Sequence, residues 1–90
     1  RPFYLFSTLS DIETTLVGKK VAKMLIKKAE KRMDMEESWI KEAMIHTLKE
    51  TPIFNLALYS DGALSMEQAQ GIIDLTNKKY FKGIKKIIRG

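Results

Sequence analysis

Two carboxylates, one histidine and two runs of lysine are the residues of this chain that could do chemistry. Glu67 and Asp74 are seven residues apart and share one face if 66–76 is a helix. Cleaving a bond between two carboxyl groups requires them to face each other across roughly 5–9.5 Å. Two helical turns instead set this pair about 10 Å apart along the axis, pointing outward in parallel. The spacing therefore predicts that Glu67 complements a helix N-terminus and that Asp74 is solvated. His46, the single histidine, follows Trp39 by seven residues and reads as a packing or half-exposed residue. The absence of cysteine removes disulfides and thiolate metal sites. With one histidine, a side-chain zinc site would need three carboxylates. Gly18, Gly62, Gly71, Gly83 and Gly90 are isolated, so no phosphate-cradling loop is formed. Ser10 and Ser65 read as helix caps, and no nucleophile elbow surrounds Ser7, Ser38 or Ser60. No catalytic, cofactor-binding or metal-ligating residue is assigned, and no cofactor is expected.

The lysines raise a binding question. Between Lys19 and Arg32 there are seven basic residues and one acid, Glu30; from Lys78 to Arg89 there are six basic residues and no acid. Blocks of this kind can meet phosphates or anionic surfaces. Lys19, Lys20, Lys23, Lys27 and Lys31 would form one stripe along a helix, able to contact a nucleic-acid backbone. Base reading, however, adds Arg, Asn or Gln on an exposed helix. Stacking platforms are missing apart from Tyr80 and Phe81, which fall on the apolar side of their helix. The ending YFKGIKKIIRG has the pattern of a basic helix that lies on a membrane. It is short, and the helix before it offers an apolar face to pack on. Solvated faces are the expectation for both blocks, with no specific nucleic acid and no membrane.

Ninety residues hold one domain. Apolar residues at 44% and charged residues at 30% mark a globular chain. No apolar run approaches the roughly 20 residues of a membrane span. The opening RPFYLFSTLS is too short in apolar residues for a secretory signal, with no cleavage site behind it. It reads as the point where a longer chain was cut, making 1–90 a single helical domain from a C-terminus.

The elements announce themselves by their starts. Ser10-Asp11-Ile12-Glu13, Asp34-Met35-Glu36-Glu37 and Ser65-Met66-Glu67-Gln68 each place a capping side chain three residues before Glu or Gln. That spacing satisfies orphan backbone donors reciprocally. Thr51-Pro52 predicts a further start, with Thr as N-cap and Pro at the first helical position. Gly62 and Asn77 are residue types that end helices in a left-handed conformation.

Stepping 100° per residue tests each segment for a buried face. In 16–33 the apolar positions fill an arc of about 200°, with lysines in the remainder. In 35–50, Met35, Trp39, Ile40, Ala43, Met44 and Leu48 cluster and Ile45 is the outlier. In 66–76, Met66, Ala69, Ile72, Ile73 and Leu75 share a half-circle. In 80–89, Tyr80, Phe81, Ile84, Ile87 and Ile88 fill about 120°, opposite Lys82, Lys85, Lys86 and Arg89. Segment 52–60 differs, because Ile53, Phe54, Leu56, Ala57, Leu58 and Tyr59 wrap almost the whole circumference. A short helix that is apolar all round belongs in the middle. The alternative for this run is a β-strand, which Thr-Pro in front and a capped helix behind disfavour. The fold class expected is all-α: a small bundle of five or six short helices around a central apolar helix at about 52–60. Phe54 and Leu56 would be nearly fully buried, and residues 3–6 would form a short extended piece.

Read in order, STLSDIETTLVGKK and then TPIFNLALYSDGALSMEQAQGIIDLTNKKYFKGIKKI resemble the helical tail at the end of many bacterial family 3 glycoside hydrolases, the β-glucosidase type. The likeness is carried by Thr8 to Ile12, Thr51 to Leu56, Ser60 to Ser65 and Leu75 to Ile84. Lys78 departs from it, standing where Gly is common, and the middle segment is unusually rich in lysine. The resemblance implies a parent enzyme that hydrolyses β-glycosides with retention, in carbohydrate metabolism. The catalytic residues of that family lie in upstream domains, so none carries over to this chain. It also implies an accessory role in docking, stability or oligomerisation, with other domains of the parent or a second copy as partner, and a cytoplasmic location. The alternative function is a free-standing basic helical module that binds nucleic acid or an acidic partner.

Overall fold

Local capping and apolar periodicity produce six helices among the described residues: α1 (Leu9–Ile12), α2 (Leu16–Met33), α3 (Ser38–Lys49), α4 (Ile53–Leu58), α5 (Met66–Thr76) and α6 (Tyr80–Arg89). The structure is a computed structural model that describes residues 2–33 and 38–90. The all-α small bundle is what the chain forms, and among the described residues there is no strand beyond a single bridge between Thr8 and Pro52. The capping pattern expected at Asp34–Glu37 lies outside the described residues.

The N-terminal segment closes the start of α4, and it is not extended throughout as expected for 3–6: Leu5 and Phe6 form a turn, closed by Ser7 N–H donating to the Tyr4 carbonyl at 2.8 Å. The first amides of a helix have no partner inside it. Here Phe54 N–H donates to the Leu5 carbonyl at 2.8 Å and Ile53 N–H to the Ser7 carbonyl at 2.9 Å. With those donors satisfied from outside, α4 needs no side-chain cap. Pro52 takes the N-cap position, and the Thr51 hydroxyl turns back to donate to the Thr47 carbonyl at 2.6 Å. The expected Thr51 cap is thus displaced. At α1 the capping box is Thr8 with Asp11 rather than Ser10 with Glu13. Ser10 falls inside the first turn and donates to Glu50 at 2.8 Å, while Lys49 pairs with Glu13 at 3.3 Å, so both contacts hold α1 against the end of α3. The Ser65–Gln68 box forms as the spacing predicts.

The core is centred on α5, not on 52–60. Ala69, Ile72 and Ile73 of α5 meet Leu9, Ile12, Ala22, Ile53 and Ala57 in one buried cluster. Helix α5 packs on α2, α4 and α6. In α4 only Ile53 and Ala57 are buried; Phe54 and Leu56 are half-buried, and Leu58 and Tyr59 are 54% and 77% exposed. An apolar circumference shows that a helix could be covered all round, but neighbours must exist on every side. Helix α4 has α5 and the N-terminal piece beneath it and solvent above. Similarly, α2 buries Gly18 and Ala22 but leaves Leu16 and Met24 exposed. In α3, Trp39 and Ala43 are exposed while Ile45 is half-buried, so that helix is rotated from the face its apolar cluster suggested.

The end of α5 is decided one residue later than expected. Asn77 has φ −84°, and Lys78, with φ 67°, is the left-handed residue. Lys79 N–H reaches the Asp74 carbonyl at 2.8 Å and Lys78 N–H the Leu75 carbonyl at 3.0 Å. Those two bonds are the Schellman pattern, with Lys78 at the position that glycine usually fills. Asn77 does other work. Its amide oxygen accepts from Phe3 N–H at 2.7 Å and its amide nitrogen donates to the Phe3 carbonyl at 2.9 Å, fastening the N-terminal segment as a neighbouring strand would.

Candidate docking surface

A glycine inside a helix costs about 1 kcal/mol relative to alanine, so two of them at the centres of adjacent helices point to a close approach. Gly71 of α5 and Gly83 of α6 face each other across an antiparallel hairpin. A Cβ on either would lie 2.7 Å from the carbonyl oxygen of the other. The glycines therefore set the rotation of α6, turning Gly83 and Ile87 toward α5. At the far end, Gln68 donates to the Ile87 carbonyl at 3.1 Å.

That rotation decides what α6 shows to solvent. Ile87 apart, its apolar stripe is left largely in solvent: Tyr80 and Ile84 are each 48% exposed, Phe81 78% and Ile88 77%. Lys82, Lys85 and Arg89 flank the stripe in solvent, and the Lys85 ammonium stands 5.5 Å from the Phe81 ring centre. Lys86 leaves this basic flank. Its ammonium donates to Asp74 at 2.7 Å, and Gln70 donates to the other carboxylate oxygen at 3.2 Å.

Asp74, expected in solvent, is therefore a buried residue at 6% exposure. Burial alone would push its carboxyl up. The hydrogen bonds from Lys86 and Gln70, with the charges of Lys86 and Lys79, outweigh burial and hold it below the ordinary 3.8. Glu67 is exposed in the first turn of α5, the place its helix-end role requires. The two carboxylates do not converge. His46 is exposed, and among the described residues no three His, Asp or Glu side chains gather as metal ligands would. Lys19, Lys20, Lys23, Lys27 and Lys31 of α2 are all exposed. No described helix is long and apolar enough to cross a membrane.

Sequence reasoning located the stripe and missed what uncovers it. The two mid-helix glycines were the available signal. The Asp74–Lys86 contact had none, because it joins two helices across a turn. Comparison with known proteins adds no relative: no family model, no curated protein and no solved structure matches this chain.

Proposed function

We propose that this chain is a non-catalytic accessory domain of a β-glycoside-hydrolysing enzyme of the cytoplasm, docking through α6 on another domain of that enzyme. The observation that carries the docking role is the stripe of Tyr80, Phe81, Ile84 and Ile88, which is exposed because the glycine contact occupies the other flank of α6. Contiguous apolar surface with a polar rim is characteristic of an interaction site. The enzyme class comes from the resemblance of the helix-boundary motifs, and the placement of Glu67 in solvent and Asp74 in an ion pair with Lys86 supports a non-catalytic role for that pair.

Charge selects the partner face. From Lys78 to Gly90 every charged side chain is basic, so a second copy laid on the same stripe would bring like charges together. An apolar surface with acidic residues at its rim would complement it. In the longer enzyme carrying this segment, Phe81→Ser with Ile88→Ser should lower the melting temperature, while the isolated domain should melt unchanged. Turnover of an aryl β-glycoside by the pure domain, above a mock preparation, would refute the non-catalytic reading.

A further inference from the structure

Leu56 belongs by its sequence to the centre of the core, yet it is half-buried because it forms one wall of an open groove. Helices α2 and α4 both pack on α5 and touch each other little, so a gap stays between them, closed at one side by α3. Leu25, Ile26, Ala29, Leu48, Leu56 and Leu64 line the gap, all half-buried, and its floor reaches Leu9, which is 1% exposed. The volume is about 450 Å³, within the range of roughly 300–1,000 Å³ typical of small-ligand sites. A single alkyl chain suits an apolar cavity of that size.

The edge of the groove carries the second half of the chemistry. Lys28 and Arg32 line it from α2, four residues apart and so on one face. Neither is in an ion pair among the described residues, where the pairs are Lys41 with Glu30, Lys49 with Glu13 and Lys86 with Asp74. The Lys28 ammonium donates to the Ala63 carbonyl at 3.3 Å, an exposed contact that leaves its other donors free. Asp61 is the single acid that lines the groove among the described residues, and it opposes an anion there.

We propose that this groove binds a single-chain anionic amphiphile, with its alkyl tail against the leucines and its carboxylate or phosphate head at Lys28 and Arg32. The site shares no residue with the α6 stripe and does not depend on the accessory role.

The test is a titration of the full 90-residue chain, followed by amide resonances, with four probes of equal tail length. These are nonanoate, octyl phosphate, neutral octanol and octyltrimethylammonium. Nonanoate or octyl phosphate should saturate one site and shift Leu25, Ala29, Leu56 and Leu64, the tighter of the two identifying the head. Octanol should bind the same residues several-fold more weakly and the cation at least tenfold more weakly. Lys28→Gln with Arg32→Gln, both exposed and so harmless to folding, should reduce anion binding to the level of octanol and leave octanol unaffected. Asp61→Asn should tighten the anions a few-fold. Anions that bind no better than octanol, or no worse to the double variant, would overturn the proposal. So would shifts centred on Ile84 and Ile88, or no saturable binding by any probe. An acidic amphipathic peptide that occupies the groove where both anions fail would transfer it to a protein partner and equally overturn the proposal.

Discussion

Replacing Gly83 with alanine sets two known effects against each other, and the structure says which wins. In an open helix the change stabilises by about 1 kcal/mol, because glycine is the poorer helix former. Here the new Cβ would meet the Gly71 carbonyl oxygen at 2.7 Å, the Leu75 amide nitrogen at 2.8 Å and the Leu75 Cγ at 2.9 Å. Two of those three are backbone atoms, which cannot swing aside. Carbon contacts settle near 3.5 Å, so α6 would have to retreat by roughly 0.7 Å along its contact with α5. Overpacking of this kind costs about 1–3 kcal/mol. The retreat also stretches the 2.7 Å bond from Lys86 to buried Asp74, and a weakened partner for a buried carboxylate costs about 1–3 kcal/mol more. Less the propensity gain, Gly83→Ala should destabilise by about 1–5 kcal/mol, out of the roughly 5–13 expected for a chain of this length. Urea denaturation followed by far-ultraviolet circular dichroism measures it directly. Gly71→Ala should act in the same direction. The double variant should cost less than the sum, since both side chains open the same gap. A Gly83→Ala protein more stable than wild type would show that the helices are not in contact there, and the exposed stripe would lose its explanation.

Three further substitutions separate residues that look alike in sequence. Lys86→Gln should cost about 1–3 kcal/mol because it weakens the partner of buried Asp74, whereas Lys82→Gln and Lys85→Gln should each stay within about 0.5 kcal/mol; equal urea midpoints for all three would contradict the ion pair. Asp74 gives stability a pH dependence of definite sign. Its carboxyl titrates lower folded than unfolded, so the unfolded chain binds the proton first as pH falls. The contribution is complete above the ordinary value of 3.8 and is lost as pH drops through the lower folded value, and Asp74→Asn should flatten that acid limb in a pH series of melts. Lys78→Gly should stabilise by about 0.5–1 kcal/mol, since it relieves a side chain held at φ 67°; a loss of stability would mean that the lysine is engaged in some favourable contact.

The extent of three helices was a property of the sequence alone, whereas the segment 52–60 is helical only over 53–58. The bounds 16–33, 66–76 and 80–89 are those of α2, α5 and α6, because apolar period, capping side chains and the break at Asp61-Gly62 act within a few residues of each other. Where two local signals overlapped, as Thr8-Asp11 with Ser10-Glu13, the choice passed to tertiary contacts: Pro52 bridges to Thr8, and Glu50 takes the Ser10 hydroxyl. Which side of each helix is buried was likewise not local. An apolar arc of 120° or more permits several rotations, and the Gly71–Gly83 contact picked the one that leaves Phe81 and Ile88 in solvent. Segment 52–60 carried enough apolar surface for a central helix, but Leu56 faces a groove because no element of the described chain lies above it. Asp74 was indistinguishable from a surface carboxylate until Lys86, twelve residues on and one helix away, stood 2.7 Å from it. Backbone propensity and capping are settled by near neighbours along the chain, whereas helix rotation, burial and ion pairing depend on which surfaces the fold brings together.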